Sequence, residues 1–122
     1  MRHRSKKTTF GRQGDHQIAL LKNLATSVIL HEKVKTTKAK ARVVAPKVEK
    51  LITIARAVAN GKKTEMQGIR LIEKHVLDKN ASLKLLQELG KRYIDRTSGF
   101  TRITNMGFRN GDAAPVVQIE LV

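Results

Sequence analysis

The chain closes with two alternating, β-branched runs, and no other stretch restricts its fold as much. In Val116-Val117-Gln118-Ile119-Glu120-Leu121 the polar Gln118 and Glu120 share one face. Val117, Ile119 and Leu121 share the other, the face to be buried. Phe100 to Met106 alternates as well, with Thr101, Ile103 and Asn105 on one side and Arg102, Thr104 and Met106 on the other. Between the runs lie Gly107, Asn110-Gly111-Asp112 and Pro115. Asn-Gly tolerates positive φ, and Pro115 removes a ladder donor before the second strand begins. Two strands alone are marginal in water, so the rest of the chain must cover their apolar face with a third strand or with helices.

The preceding residues offer both. Asp15 is placed to cap a first helix, in which Ile18, Leu21, Ala25, Val28 and Ile29 share a face widened by Leu20 and Leu24. That helix should end near His31. Lys33-Val34-Lys35-Thr36 alternates charge and β-branch and is the candidate third strand. Thr37 can cap a second helix from Lys38 to about Ala59, striped by Val44, Val48, Leu51, Ile52, Ala55 and Val58. Pro46 inside it removes a backbone donor and clashes one turn back, which predicts a kink or a break into two helices. Asn60-Gly61 ends it. Thr64 and Gln67 have capping-box spacing for a third helix with Met66, Ile69, Ile72 and Val76 inward. Asn80 can cap a fourth carrying Leu83, Leu86 and Leu89 and closed by Gly90, and Lys91 to Ser98 then forms a basic connector. The expected fold is α+β: four helices packed on a small three-stranded sheet, in the order α-β-α-α-α-β-β. No repeat, low-complexity tract or Pro/Ser linker divides the chain, so residues 15–122 are expected as a single domain.

Charge narrows the function. There are 25 Lys+Arg against 10 Asp+Glu, a net charge of +15. That asks for a polyanionic partner, nucleic acid before an anionic membrane. No apolar stretch approaches the roughly 20 residues of a spanning helix, and Lys22-Asn23 interrupts the only apolar run near the basic N-terminus. The absence of cysteine removes disulfides and thiolate chemistry and suits a reducing cytosol. Residues 1–14 hold Arg2, Arg4, Lys6, Lys7 and Arg12 with no acid and no apolar periodicity, and are expected as a free basic RNA-binding arm. The last 24 residues, by contrast, balance Arg102 and Arg109 against Asp112 and Glu120, as suits a structural hairpin.

No constellation for catalysis emerges. His31-Glu32 begins like a zinc-protease helix, but Lys35 stands where the second histidine would be. His3, His16, His31 and His75 have no close acidic or histidine neighbours in metal-ligand spacing. Gly61-Lys62-Lys63-Thr64 has the tail of a phosphate loop without its leading glycine. The chain is therefore read as no enzyme, with no cofactor and no metal. Base reading by a stacking sheet is also unsupported, because Tyr93, Phe10, Phe100 and Phe108 do not form a two-aromatic signature and there is no Trp. Arg and Lys contact with phosphates is the expected mode, and His3 or Phe10 can stack on an unpaired base.

The C-terminal stretch also resembles a known family. Gly99-Phe100-Thr101-Arg102-Ile103, Gly107-Phe108-Arg109-Asn110-Gly111-Asp112-Ala113-Ala114-Pro115 and Ile119-Glu120-Leu121-Val122 look like the end of the seventeenth protein of the bacterial large ribosomal subunit, the L-seventeen family. Met1-Arg2-His3-Arg4, His31-Glu32 with Lys35-Thr36-Thr37, Val48-Glu49 with Leu51-Ile52-Thr53, and Glu88-Leu89-Gly90 followed by Arg92 and Arg96 fit the same family in the same order. The resemblance implies a structural constituent of the large ribosomal subunit. It would bind and stabilise large-subunit rRNA on the outer side of the subunit near the nascent-chain exit, in the cytoplasm, beside other large-subunit proteins. It further implies rRNA contacts at Arg2, His3 and Arg4, at Lys35, Thr36 and Thr37, and at Arg92, Arg96, Arg102 and Arg109. Charge alone adds Lys6, Lys7, Arg12, Lys38, Lys40 and Arg42. The alternative is a free nucleoid-type or RNA-binding module outside the ribosome. The helices around Asp78-Lys79-Asn80 come nearest to a helix-turn-helix, but their faces are mixed in charge.

Overall fold

A computed structural model describes residues 3–122. Arg2, one of the expected rRNA contacts, lies outside the described residues. Those residues form four helical segments and three strands in the expected order. They are α1 (Gly14–His31), β1 (Lys33–Thr37), α2 (Lys38–Ala59), α3 (Glu65–Glu73), α4 (79–92), β2 (Thr101–Phe108) and β3 (Pro115–Leu121). β3 is the central strand, antiparallel to β1 on one side and to β2 on the other. Its register sets Ile119 opposite both Val34 and Ile103, and Val117 opposite Thr36 and Asn105. Val117 and Ile119 are fully buried on the face that the helices cover, as the alternation requires.

The core runs from that face through α2. Val28 and Ile29 of α1, Val44, Val48, Leu51, Ile52 and Ala55 of α2, Ile72 of α3, Leu85 and Leu89 of α4, and Phe100 and Tyr93 pack with Ile119 into one cluster. Tyr93 and Phe100 pack with their rings tilted by 58°, 5.2 Å between centroids, and the Tyr93 hydroxyl donates to the Val122 carbonyl at 2.7 Å. The buried phenol is thus satisfied, and it ties the C-terminus to the end of α4. The α4 C-terminus is also held by Arg56, whose guanidinium donates to the carbonyls of Tyr93 and Ile94 at 2.8 and 3.1 Å.

Several local expectations are corrected. α1 begins at Gly14 after an extended Gln13, so Asp15 is not the cap. It sits in the first turn, where its negative charge complements the positive helix end. Ile18 is exposed, at the rim of a depression shared with Lys47 and Leu51 of α2. α2 is unbroken through Pro46. Pro46 and Arg42 both face solvent, so the carbonyl freed one turn back can be hydrated, and the break does not occur. The capping box of α3 forms, with Thr64 and Gln67 each bonding the other's backbone. Its inward residues are Gly68 and Ile72 rather than Met66, because Gly68 lets α3 close on Val58 of α2.

α4 is capped by Asp78, which accepts the Asn80 N–H at 2.9 Å, so Asn80 lies inside the helix. The segment is α-helical over Lys79–Lys84, widens to a π turn over Leu85–Leu89 and returns to α over Gly90–Arg92. The inward stripe runs through Ala81, Ser82, Leu85, Leu89, Gly90 and Tyr93, and Leu83 lies on the opposite, exposed side. Gly90 does not close the helix. It has helical φ and ψ, and a Cβ there would lie 2.7 Å from the Ala55 carbonyl oxygen. Its hydrogen is what allows α2 and α4 to touch.

Candidate nucleic-acid interface

β1 runs directly into α2, and several of the expected contact residues lie together at this junction. Thr37 takes the extended N-cap conformation, but its side chain makes no capping bond, and the first turn of α2 holds no acid. Lys38 and Lys40 therefore stand at the positive end of a helix whose first N–H groups have no side-chain acceptor. Cations are unfavourable at that end unless an anion joins them, and backbone N–H groups there point at such an anion.

The sheet brings the second contributor. Because β1 is antiparallel to β3, Thr37 lies opposite Val116, where the hairpin returns from its tip. Arg109 thereby arrives beside the β1–α2 junction, and Lys35, Thr36, Thr37, Lys40, Val116 and Arg109 line one groove of about 240 Å³. A second depression continues it onto α1, sharing Thr36 and Lys40 and adding Leu20, Asn23, Leu24 and Ser27. Asn23 and Ser27 are absent from the residues chosen by charge. Their spacing on the polar side of α1 is the only signal for them in the sequence. Lys38 and Arg42 are exposed on the outer side of the same helical turns.

The arginines fall into a different arrangement. On the uncovered face of the sheet, Glu120 lies between Lys33 and Arg102 in register, with nitrogen–oxygen distances of 3.9 and 3.4 Å. At the hairpin tip the Arg109 guanidinium donates to both Asp112 oxygens at 3.0 and 2.5 Å. This bidentate pair raises the arginine pKa. Together with the Ala114 N–H, it lowers the Asp112 carboxyl to about 2. Arg92 donates to Glu32, and to Glu88 at 2.9 Å, with its guanidinium 5.9 Å from the Tyr93 ring centre. Lys84 reaches the other Glu32 oxygen at 3.4 Å. The Arg92 hydrogen bond is the largest cause that lowers the Glu32 carboxyl, and the same bond raises Arg92. Arg96 donates to the Ser98 carbonyl at 3.2 Å.

Arg92, Arg102 and Arg109 are thus each held by a carboxylate of the chain. Lys35, Lys38, Lys40 and Arg42 have none within ion-pair distance among the described residues. The segment before α1 carries His3, Arg4, Lys6 and Lys7 exposed and Arg12 half-buried. Arg12 donates to the Phe10 carbonyl at 2.9 Å, and Gln17 of α1 donates to the Thr8 carbonyl. The structure therefore brings Lys35, Thr36, Thr37, Lys40 and Arg109 together. It leaves the arm, Arg92, Arg96 and Arg102 outside that group.

Comparison with known proteins adds to this geometry. Residues 20–122 match the family described as ribosomal protein L17. The chain is 44% identical over 122 residues to the large ribosomal subunit protein bL17 of Novosphingobium aromaticivorans, covering 100% of this chain and 82% of the relative. It is 44% identical over 122 residues to the protein of the same name from Ehrlichia canis, covering 100% of this chain and 91% of that one. With the Neorickettsia sennetsu protein of that name the identity is 41% over 122 residues, and both chains are covered in full.

Proposed function

The chain belongs to the ribosomal protein L17 family, and from that premise we propose that it binds large-subunit rRNA chiefly through phosphates at the β1–α2 junction. It is a protein of the large ribosomal subunit with a structural, non-enzymatic role in translation, and its partners are rRNA and other ribosomal proteins. The finer reading is that Lys35, Thr36, Thr37, Lys38, Lys40 and Arg42 make the central phosphate contacts, with Arg109 alongside. Residues 1–14 serve as a basic arm, and residues 15–122 are the domain that carries it. Its place is the outer side of the subunit near the nascent-chain exit, in a cytoplasmic ribosome.

One observation carries this reading. Cations without carboxylate partners collect around the open N-terminus of α2, in a groove that two parts of the chain far apart in sequence build together. A phosphate there accepts backbone N–H groups, Thr hydroxyls and lysine charge at once. The arginines with intramolecular carboxylates can still add a phosphate at the surface. Their first role in the free protein is to hold β2, the hairpin tip and α4 in place.

Binding to protein-free large-subunit rRNA, measured at several salt concentrations, tests the mechanism. Log affinity should fall with log salt by about 0.9 per duplex phosphate neutralised, and Lys38→Ala with Lys40→Ala should lower that slope. Affinity that barely changes with salt would contradict phosphate contact. Sedimentation of the tagged protein in a cell lysate tests the assembly: it should travel with the large subunit, and free or nucleoid-bound protein would overturn the reading.

A further inference from the structure

The hairpin tip carries a side chain that neither the core nor the groove uses. Phe108 is 75% exposed, the most exposed large apolar side chain among the described residues. It ends β2 opposite Pro115, just past an irregularity in register that begins at Asn105. Gly107, at φ +100°, supplies a backbone conformation there that other residues resist. Irregularities of this kind re-aim a side chain relative to the regular pleat.

The support beyond Phe108 is stiff. The Arg109 N–H donates to the Ala114 carbonyl at 2.9 Å, and the Ala113 N–H donates back to the Arg109 carbonyl at 3.0 Å. Asp112 accepts from the Arg109 guanidinium and from the Ala114 N–H, at 3.2 Å for the latter. A bonded turn thus presents an aromatic ring to water. That exposure contributes nothing to the fold, because burial is what makes such a ring stabilising. The next residue, Arg109, lines the same groove as Lys35 and Lys40. Phe108 therefore adjoins, through Arg109, a groove whose Lys35 and Lys40 have no carboxylate partner among the described residues.

We propose that Phe108 is a stacking platform for an unpaired RNA base whose neighbouring phosphates lie in the groove of Lys35, Lys40 and Arg109. Charge complementarity selects the occupant: a partner that lies across both features must offer flat apolar surface and anionic groups a few ångströms apart, as a single-stranded nucleotide does. A single ring suffices, since every base has a face to stack, and the turn held by Asp112 lowers the ordering cost of binding. The inference rests on the rRNA-binding reading above and assigns a base contact where that reading has phosphate contacts.

The chain has no tryptophan, so Phe108→Trp creates a single indole reporter. Full-length wild type, Phe108→Ala and Phe108→Trp would be titrated with protein-free large-subunit rRNA at several salt concentrations. Phe108→Ala should bind roughly 5- to 150-fold more weakly. Its salt slope should be unchanged, because no charge is removed. Phe108→Trp should keep its affinity, with indole emission quenched on binding. Equal affinity for Phe108→Ala, or an indole unaffected by rRNA, would overturn the stacking role while leaving rRNA binding intact. A changed salt slope in Phe108→Ala would overturn it too, by showing that the groove and not the stack was disturbed. So would an indole that responds only when other ribosomal proteins are added, since that marks a protein contact. Wild type that fails to bind rRNA would remove the premise and the inference together.

Discussion

Ile119 and Arg109 separate the two things that single residues do in this chain. Ile119 is fully buried between Val34 and Ile103 on the covered face of the sheet. Ile119→Ala removes methyl groups from a packed site and leaves a cavity, so chemical denaturation should show a loss of about 2–5 kcal/mol. Arg109 is exposed, and its pair with Asp112 is screened by solvent. Arg109→Ala should leave the denaturation midpoint nearly unchanged while weakening rRNA binding per folded molecule. The opposite result, an unfolded Arg109→Ala with intact binding, would make Arg109 an anchor of the tip alone. Gly90 is a third case: Gly90→Ala should cost about 1–3 kcal/mol, because the added methyl meets the Ala55 carbonyl and α2 and α4 must part. Thermal melts of the variant and wild type would measure it. Glu32 gives a residue-level pH dependence. Its carboxyl is lowered below the ordinary 4.5 by Arg92 and Lys84. The folded state therefore gains stability from it fully above about pH 4.5, and loses that gain as pH falls through the lowered value. Glu32→Gln should flatten this acid limb in a series of melts from pH 6 downward. An unchanged limb would show that other carboxylates set it.

At the level of elements, Pro46 is the informative position. A proline inside a helix costs up to about 3 kcal/mol relative to alanine, yet α2 runs unbroken past it. Its solvent-facing position makes the missing bond tolerable rather than free. Pro46→Ala restores an N–H to the Arg42 carbonyl, offset in part by a more flexible unfolded chain. It should stabilise the protein by about 1–3 kcal/mol in denaturant titrations, and a loss of stability would mean that the stiffening of the unfolded chain by Pro46 outweighs the missing bond. The elements also explain why separate stretches of sequence match one family. The His31-Glu32 stretch meets Glu88 and Arg92 through the ion pairs of Glu32 and Arg92. Glu49 of α2 accepts a bond from Thr101 at the start of β2, at 2.8 Å. Blocks far apart along the chain are neighbours in the fold.

For the whole molecule, the net charge of +15 opposes compaction unless an anion is present. The five basic side chains of residues 1–14 contribute to that repulsion, and the described part of the segment buries little. Deleting residues 1–13 should leave the thermal midpoint of the isolated protein almost unchanged and weaken rRNA binding strongly. A large drop in midpoint would show that the contact of Thr8 with Gln17 anchors the segment to α1.

Much of the architecture was legible in the residues themselves. The alternation of Val117, Ile119 and Leu121, the strand at Lys33-Val34-Lys35-Thr36 (one residue longer in the fold), the capping box of Thr64 and Gln67, and the span of α2 all express short-range rules: period, cap chemistry and turn residues act within one or two turns of chain. Two errors are local, the caps of α1 and α4, each displaced by two residues; the others fall where the deciding partner is distant. Gly90 reads as a helix stop locally and is instead the contact point with Ala55. Met66 and Leu83 fit an apolar stripe but lose the inward place to Gly68, which closes on Val58, and to Ala81, Ser82 and Leu85, which face the core. The basic charge that demands an anion was likewise plain in the composition. Tertiary structure alone decided which cations lie together. The antiparallel register of β1 on β3 carries Arg109 to Lys35 and Lys40, while Arg92 and Arg102 turn to carboxylates supplied by other elements. A charge is a property of one residue, but whether it is free for a ligand depends on what long-range packing places within a few ångströms of it.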